Sequence, residues 1–296
     1  MPSRFPSHLR KPIAPSGRSA EVENILADLH LNTVCREARC PNRCECYGSG
    51  TATFLLLGGI CTRRCRFCAI SKGSPLPPDP DEPEKVALAA DSMGLSYIVL
   101  TSVTRDDLAD GGAAHFALTA EALKHRLPGA AIEFLIPDLQ GRTASLEIVL
   151  QAGPDVLNHN VETVPRLYAD VRPGADYHRS LRILTQASGF SRNIITKSGL
   201  MLGLGETFEE ADSVMRDLRR SGCSILTLGQ YLSPGGEHYP TSRYVEPAEF
   251  EEHRIHALAM GFQHVESGPF VRSSYKAREA WMACMNPQHS EQKEQS

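Results

Sequence analysis

The stretch GTATFLLLGGICTRRCRFC, residues 50–68, joins an apolar run to a compact group of three cysteines. Its first half, residues 51–58, is almost continuously apolar, which is typical of a strand buried on both faces of a parallel sheet. Its second half has the spacing Cys-x3-Cys-x2-Cys, formed by Cys61, Cys65 and Cys68. The pattern therefore predicts a first strand that leads directly into a thiol-rich loop.

Three thiolates on so short a loop can each hold one iron of a [4Fe–4S] cube, whereas most such clusters are held by four cysteines. The fourth iron would be open to another ligand, so the spacing favours a chemical rather than a purely structural site. A zinc site is the alternative. Zinc needs a fourth ligand at matching spacing, and neither Cys nor His occurs among the dozen residues after Cys68.

Beyond residue 50 the chain alternates apolar runs with helical patterns, several of which end in glycine. The predicted strands are residues 51–58, 96–102, 131–137, 154–162, 192–203 and 223–232. This alternation predicts an α/β fold with a parallel sheet. Right-handed crossovers can roll such a sheet toward a barrel or leave it open and doubly wound, and the pattern fits both.

Polar residues collect where the predicted strands end. They form the segments TSVTRDD (101–107), IPDLQG (136–141), NHNVET (158–163), GLGET (203–207) and GQYLSPGGEHYP (229–240). In parallel α/β folds the carboxyl edge of the sheet is where active sites are built. We therefore expect the functional site at this edge.

Composition excludes several classes of function. The chain has 296 residues, 41% of them hydrophobic, and a formal net charge of −4, so no broad cationic surface is expected and nucleic acid is not a predicted partner. No apolar run approaches a membrane span, and the start MPSRFPSHLRKPIAPSGRS is too broken by Pro and Ser for a secretory signal. We expect a cytoplasmic protein with no membrane partner, with a short organellar transit peptide as the alternative.

Nine cysteines in a reducing compartment favour metal ligation over disulfides. Three lie in the loop already described, and four lie in VCREARCPNRCECYG, residues 34–48. Cys223 and Cys284 stand alone in apolar contexts, where a free cysteine is usually a small buried hydrophobic residue.

The three-cysteine loop, with Phe67 before its last cysteine, resembles the radical S-adenosylmethionine (SAM) superfamily. From about Asn32 to about Tyr275 the chain resembles one family within it, the lipoyl synthases. The segments that carry this resemblance are GTATFLLLGGICTRRCRFC, LTSVTRDDLADGGA, NHNVETVPRLY, GLMLGLGET, LTLGQYLSPGGEHYP and GPFVRSSY. The resemblance implies an α/β fold of the partial (β/α)6 TIM-like barrel type at 51–265, with an N-terminal extension at 1–50 and a C-terminal tail at 266–296.

In lipoyl synthases an auxiliary [4Fe–4S] cluster lies on a Cys-x4-Cys-x5-Cys motif, and Cys35, Cys40 and Cys46 have that spacing here. The family's fourth ligand is a serine of the RSSY motif. Adjacent side chains of an extended segment point opposite ways, so only one of Ser273 and Ser274 is expected to reach the iron, and Ser274 is favoured.

Cys44 is the surplus thiol of this segment, because lipoyl synthases usually have another residue at its position. We interpret it as a bystander. The alternative is that it replaces a cluster ligand or supports cluster assembly.

The resemblance implies insertion of two sulfur atoms at C6 and C8 of an octanoyl-lysine. The carrier would be a lipoyl domain, as in 2-oxoacid dehydrogenase E2 subunits or the glycine cleavage H protein. Two [4Fe–4S] clusters and SAM would be the cofactors, since an unactivated C–H bond has no acidic proton for a base to remove. The auxiliary cluster would donate the sulfur, so a one-electron donor such as flavodoxin or ferredoxin and an iron–sulfur carrier would be further partners.

Five other residues are candidate SAM contacts. NHNVET resembles a segment near the adenosyl ribose in related enzymes, so Asn160 and Glu162 are candidates for hydroxyl contacts, or else form a polar strand end held by its own turn. Arg172 is a candidate anion contact or a surface ion pair. Lys197 and Glu206 flank an apolar run, and a solvated glutamate at a helix start is the alternative for Glu206.

Two other functions remain open at this stage. A biotin-synthase-like enzyme would insert sulfur into a small molecule, but the N-terminal cysteine triplet with RSSY fits an auxiliary [4Fe–4S] site better. A non-catalytic iron–sulfur sensor or zinc-stabilised binding module would not need six βα units with polar strand ends.

Overall fold

A computed structural model of the chain describes residues 6–11 and 17–286. Residues 1–5, 12–16 and 287–296, which belong to the two predicted extensions, lie outside the described residues. The chain divides into two compact units: Pro12–Leu157, called the first unit below, and Met1–Lys11 with Asn158–Ser296, called the second unit. The three-part division into 1–50, 51–265 and 266–296 stays a prediction.

The first unit is a parallel βα array preceded by three helices. Its elements in chain order are α1 (Gly17–Asp28), α2 (Val34–Glu37), α3 (Arg43–Gly48), β1 (Thr53–Leu56), β2 (Ile60–Cys61), β3 (Ser71–Lys72), α4 (Glu82–Ser92), β4 (Tyr97–Ser102), α5 (Ala113–Arg126), β5 (Ala131–Leu135), α6 (Thr143–Gln151) and, at its end, β6 (Val156–Asn158). β1 pairs in parallel with β4, and β4 with β5. The predicted strands at 51–58, 96–102 and 131–137 are therefore confirmed, whereas only Val156–Asn158 of the strand predicted at 154–162 forms a strand.

Apolar side chains of these strands and helices form the core of the first unit. All four residues of β1 are buried. On the helical side, the Phe116 ring of α5 lies against the Phe134 ring of β5 with centroids 5.2 Å apart. Each buried Phe or Leu contributes about 1.5–3 kcal/mol relative to an exposed position. This burial explains why the apolar runs identified the strands correctly.

The second unit continues the alternation. Its elements are α7 (Tyr168–Val171), α8 (Tyr177–Phe190), β7 (Ile195–Leu202), α9 (Phe208–Arg220), β8 (Ile225–Gln230), α10 (Pro247–Ala259), β9 (His264–Gly268) and α11 (Ala277–Met285). β7 pairs in parallel with β8, and β8 with β9. The strands predicted at 192–203 and 223–232 are confirmed, and β9 is an additional strand that the sequence analysis missed.

Side-chain caps fix where two of these helices begin. The Asp176 side chain accepts from the Arg179 backbone N–H at the start of α8. Thr207 and Glu210 form a reciprocal capping box at the start of α9. Such caps satisfy backbone donors that have no partner inside the helix.

Among the described residues, no helix combines the length and the apolar character needed to cross a membrane.

Gly112, which precedes α5, tests the packing of the first unit. Its φ is +93°, and a Cβ at this position would lie 2.4 Å from Leu57 Cδ1. Leu57 is buried, so it has little room to move. We expect Gly112→Ala to lower the free energy of unfolding by about 2–4 kcal/mol, measured by chemical denaturation.

Gly129→Ala is the matched control, because a Cβ at Gly129 would have nothing within 4 Å. Its effect should stay within about 0.5 kcal/mol. Equal unfolding free energies for both variants would contradict the packing argument at Gly112.

Candidate functional site

The loop between β1 and α4 carries the second cysteine triplet. Cys61 ends β2, which pairs with β3 and so closes the loop. Within the loop, the Cys68 backbone N–H donates to the Cys65 carbonyl at 3.3 Å. The Arg63 backbone N–H donates to Cys61 Sγ at 3.4 Å, and all three cysteines are half-buried and outside any disulfide. The thiols are therefore only partly exposed, and that of Cys61 already accepts from a backbone donor.

This loop is attached to the loop that follows β4. The Thr62 N–H and Oγ1 both donate to the Thr104 carbonyl, at 3.1 and 2.9 Å. The Asp106 backbone N–H donates in turn to Thr62 Oγ1 at 3.1 Å. The cysteine loop consequently starts at a fixed position on the carboxyl edge of the strands.

The first triplet lies on two short helices beside β1. Cys35 is on α2, Cys46 is on α3, and the Cys40 N–H between them donates to the Cys35 carbonyl at 3.1 Å. Thr33, which caps α2, also hydrogen-bonds the Tyr47 hydroxyl of α3 at 2.7 Å. The segment is joined to β1 by an antiparallel bridge between Thr33 and Phe54. The three thiols are thus placed by a hydrogen-bonded framework rather than by a free tail.

The thiol of Cys35 is protonated at neutral pH. Burial raises its pKa to about 11, and a charge on Cys40 raises the pKa further, against hydrogen bonds to Thr53 that lower it. Because metal-bound cysteines are thiolates, loading this triplet must release protons.

Cys44 lies on α3 two positions before Cys46. Residues two apart on a helix do not share a face, so the two thiols point to different sides. Ser19 Oγ of α1 donates to the Cys44 carbonyl at 3.3 Å. The placement supports the interpretation of Cys44 as a bystander.

Among the residues the structure describes, no three His, Cys, Asp or Glu side chains are arranged so that they could already hold a metal ion. The chemistry of the donors nevertheless fits iron–sulfur clusters. None of the nine cysteines is in a disulfide, so both triplets consist of thiols. Soft thiolates are the usual ligands of such clusters.

In the second unit, Asn160 follows the end of β6 and is buried. Its Nδ2 group donates to Glu162 Oε1 at 3.1 Å and to Ser273 Oγ. Its Oδ1 is buried and has no hydrogen-bond partner among the described residues. A Cβ on Gly199 would lie only 2.9 Å from that oxygen, so the backbone packs closely against it and only glycine fits there. Asn160 therefore keeps one buried acceptor that no described residue uses.

Glu162 lies beside β7 with its backbone in the left-handed region, at φ +66°. Its N–H donates to the Gly199 carbonyl at 3.0 Å, and its carbonyl accepts from the Met201 N–H at 2.9 Å. The pKa of its carboxyl is raised above the usual value, because burial outweighs the charge of Arg172 and the hydrogen bond from Asn160, which lower it. The carboxyl oxygens of Glu162 are further acceptors next to Asn160.

The predicted contacts Arg172, Lys197 and Glu206 stay predictions, and the structure gives each a local environment. Arg172 Nη1 donates to the carbonyls of Asn160 and Val161 at 3.1 and 2.9 Å, which holds the NHNVET backbone. Lys197 is fully buried in β7.

Glu206 is buried rather than solvated at the start of α9. Its carboxylate accepts from the backbone N–H groups of Gly203 and Leu204 at 2.6 and 2.9 Å. The solvated alternative for Glu206 is therefore wrong. Its carboxylate instead fixes the turn at the end of β7.

The RSSY motif is a turn, whereas the sequence predicted an extended segment. The Tyr275 N–H donates to the Arg272 carbonyl at 2.9 Å and closes the turn. The two serines still differ, because Ser273 accepts from Asn160 whereas Ser274 makes no hydrogen bond within the described residues. The preference for Ser274 therefore rests on the hydrogen bond that occupies Ser273, and not on the alternation of side chains in an extended segment.

The two isolated cysteines differ in burial. Cys223 is fully buried, and burial raises its pKa to about 12, as expected of a structural thiol. Cys284 on α11 is only half-buried, whereas the sequence predicted a buried thiol.

Comparisons with known proteins place this geometry in context. A sequence profile of the Radical SAM superfamily matches residues 55–218. The chain is 53% identical over 275 residues to a lipoyl synthase of Chlorobium phaeovibrioides, covering 93% of this chain and 96% of that relative. It is 54% identical over 276 residues to a lipoyl synthase of Geobacter sp. (strain M21), covering 93% and 94%.

Solved structures give the fold. The chain is similar to coproporphyrinogen III oxidase (HemN) from Escherichia coli, a radical SAM enzyme. The TM-score is 0.51 at 14% identity, over 75% of this chain and 56% of that one. With the parallel strands in each unit, this likeness confirms the predicted α/β fold of the radical SAM type.

The two cysteines Cys40 and Cys44 should respond differently to substitution. After anaerobic reconstitution with iron and sulfide, Cys44→Ala should bind as much iron as the unmodified chain, because its thiol points away from that of Cys46. Cys40→Ala should lose about half of the iron, since the first triplet then has only two thiols. Equal iron loss in the two variants, measured by colorimetric iron and sulfide assays, would contradict the bystander interpretation.

Proposed function

The chain belongs to the lipoyl synthase family of the radical SAM superfamily, and we propose that it inserts sulfur at C6 and C8 of a protein-bound octanoyl-lysine. As a superfamily member it is an enzyme that uses SAM and an iron–sulfur cluster. The observation that carries the proposal is the presence of two complete cysteine triplets in a chain whose similarity to lipoyl synthases covers 93% of its length.

We assign one [4Fe–4S] cluster to Cys61, Cys65 and Cys68. These residues would hold three irons and leave one open for the amino and carboxylate groups of SAM. With both bound, the site would supply a 5′-deoxyadenosyl radical, which removes hydrogen atoms from unactivated C–H bonds. The protein's part is to hold the loop, orient SAM and exclude water.

Asn160 and Glu162 are suited to the ribose of SAM. Both N–H donors of Asn160 have partners, so its remaining capacity is as an acceptor through the buried Oδ1. The adjacent Glu162 carboxylate supplies further acceptor oxygens. Two neighbouring ribose hydroxyls are two donors, and Arg172 fixes the backbone that carries these acceptors. The arrangement supports a vicinal diol as the ligand.

We assign the second [4Fe–4S] cluster to Cys35, Cys40, Cys46 and Ser274, with this cluster as the sulfur source. Ser274 is preferred because Ser273 already has Asn160 as its partner. An oxygen ligand is a poorer match for iron–sulfur chemistry than a thiolate, so this corner should open more readily. A labile corner suits a cluster that gives up sulfide during the reaction.

The partners proposed follow from this chemistry. The substrate would be octanoylated lipoyl domains of 2-oxoacid dehydrogenase E2 subunits or the glycine cleavage H protein. A one-electron donor such as flavodoxin or ferredoxin would reduce the SAM cluster. An iron–sulfur carrier would rebuild the consumed cluster between turnovers.

The test uses the full chain reconstituted anaerobically with iron and sulfide. It is incubated with SAM, a reductant and an octanoyl-lysine peptide, and the peptide is followed by mass spectrometry. We expect two added sulfur atoms in the unmodified chain. Cys65→Ala should abolish 5′-deoxyadenosine formation, because a ligand of the SAM cluster is lost. Unmodified chain that cleaves SAM but adds no sulfur to the peptide would overturn the proposed function.

The serine assignment has its own test in a single-turnover assay that follows the monothiolated intermediate and iron release. Ser274→Cys should keep or tighten the auxiliary cluster and slow sulfur transfer, since a thiolate binds iron more firmly than an alkoxide. Ser274→Ala should weaken the cluster. Ser273→Ala is the control and should retain full iron content. Iron loss in Ser273→Ala with none in Ser274→Ala would reverse the assignment.

A further inference from the structure

Three arginines lie in the CTRRCRFC loop, and the structure treats them differently. Arg64 and Arg66 are exposed, whereas only 9% of the Arg63 side chain is accessible to solvent. Arg63 lies between two of the three cysteines of the loop, Cys61 and Cys65. Burying a charged side chain is costly unless it is paired and hydrogen-bonded, so the position of Arg63 needs a reason.

The guanidinium of Arg63 is held by two carboxylates. Nε and Nη2 donate to Asp106 at 2.7 and 2.9 Å in a bidentate pair. Nη2 also donates to Asp138 Oδ1 at 2.6 Å. An arginine guanidinium is always charged in proteins, so the two carboxylates hold a paired and hydrogen-bonded cation.

The two carboxylates belong to different strand ends. Asp106 follows β4, and Asp138 follows β5, where its side chain is only 1% exposed. One buried side chain thus attaches the cysteine loop to both neighbouring strands. Thr62 adds the hydrogen bonds to Thr104 and Asp106 already described.

Asp138 also supports a strained turn. The next two residues, Leu139 and Gln140, have φ of +46° and +55°, in the left-handed region that non-glycine residues rarely adopt. Asp138 Oδ1 accepts from the Gln140 N–H at 3.0 Å, and Gln140 Nε2 donates to the Asp106 carbonyl at 3.4 Å. Such conformations persist only where surrounding contacts hold them. Arg63, Asp106, Asp138 and Gln140 therefore form one connected clamp.

We propose that Arg63 is a positioning residue, which clamps the cysteine loop to the ends of β4 and β5 and so sets the geometry in which Cys61, Cys65 and Cys68 receive their cluster. In assigning the cluster to this loop, the inference rests on the proposed function. The clamp itself consists of contacts within the metal-free chain. The loop depends on these contacts because it has little regular structure of its own.

The first test uses the metal-free full chain. Iodoacetamide alkylation of each cysteine is followed by peptide mass spectrometry in the unmodified chain, Arg63→Gln and Arg64→Gln. Arg63→Gln should raise the alkylation rate of Cys61, Cys65 and Cys68 by about tenfold through local opening. The first triplet should keep its rate, and the exposed control Arg64→Gln should change neither triplet.

The second test uses the reconstituted chain and distinguishes positioning from general stability. Arg63→Lys keeps the charge but loses the planar bidentate fork. Its reduced SAM cluster should show an altered electron paramagnetic resonance signal and a weaker change on adding SAM, while the iron held by the first triplet is unchanged. The double variant Asp138→Asn with Arg63→Gln should change the alkylation rates by less than the two single changes together, since the two groups act as a unit.

The outcomes separate this inference from the proposed function. If Arg63→Gln and Arg64→Gln give the same alkylation rates and the spectrum of Arg63→Lys is unchanged, the positioning role is wrong, whatever reaction the chain catalyses. If Arg63→Gln does not fold, Arg63→Lys and Asp138→Asn decide by the same alkylation comparison. A chain that passes these tests but adds no sulfur to octanoyl-lysine would retain the clamp and lose the proposed function.

Discussion

The loop between β1 and α4 has to hold three thiols together with almost no regular structure of its own. Its regular pairing consists of two residues of β2 with two of β3. A short loop of this kind loses considerable backbone entropy when it is ordered, about 1–2 kcal/mol per residue. The ordering must come from neighbours, and Thr62 and Arg63 supply it through hydrogen bonds to the loops after β4 and β5. The cysteine chemistry of the first unit depends on these contacts.

In the second unit, the side chains that need to be held in position are hydrogen-bond acceptors instead of thiols. Asn160 and Glu162 are oriented by hydrogen bonds to each other and to the edge of β7, and Arg172 holds their backbone. Glu206 satisfies two backbone donors of the turn that ends β7. Polar groups fixed in this way need little reorganisation when a polar ligand arrives, and they act more strongly in a site from which water is excluded. In both units the candidate site residues are held in place by hydrogen bonds from neighbouring residues.

Most of the fold could be predicted because burial leaves a strong local signal. The six apolar runs correspond to β1, β4, β5, β6, β7 and β8, and helical patterns, several of them ending in glycine, indicated the helices between them. β9 was missed because HVESG carries His, Glu and Ser and has no apolar run. Its strand state is imposed by pairing with β8, a partner about forty residues earlier. The turn at RSSY was missed for a similar reason, since no Gly or Pro marks it.

The sequence by itself determined the chemistry of this protein: two cysteine spacings, a set of polar strand ends and the segments that resemble lipoyl synthases. Ligand spacing is a local property, because a few covalently connected residues decide which metal site they can form. Only the tertiary structure decided that Arg63 is buried while Arg64 and Arg66 are exposed, and that Ser273 accepts from Asn160, 113 positions away. Burial and hydrogen-bond partners are set by segments that meet only after folding. The local sequence therefore does not indicate which of several arginines in one motif will be buried.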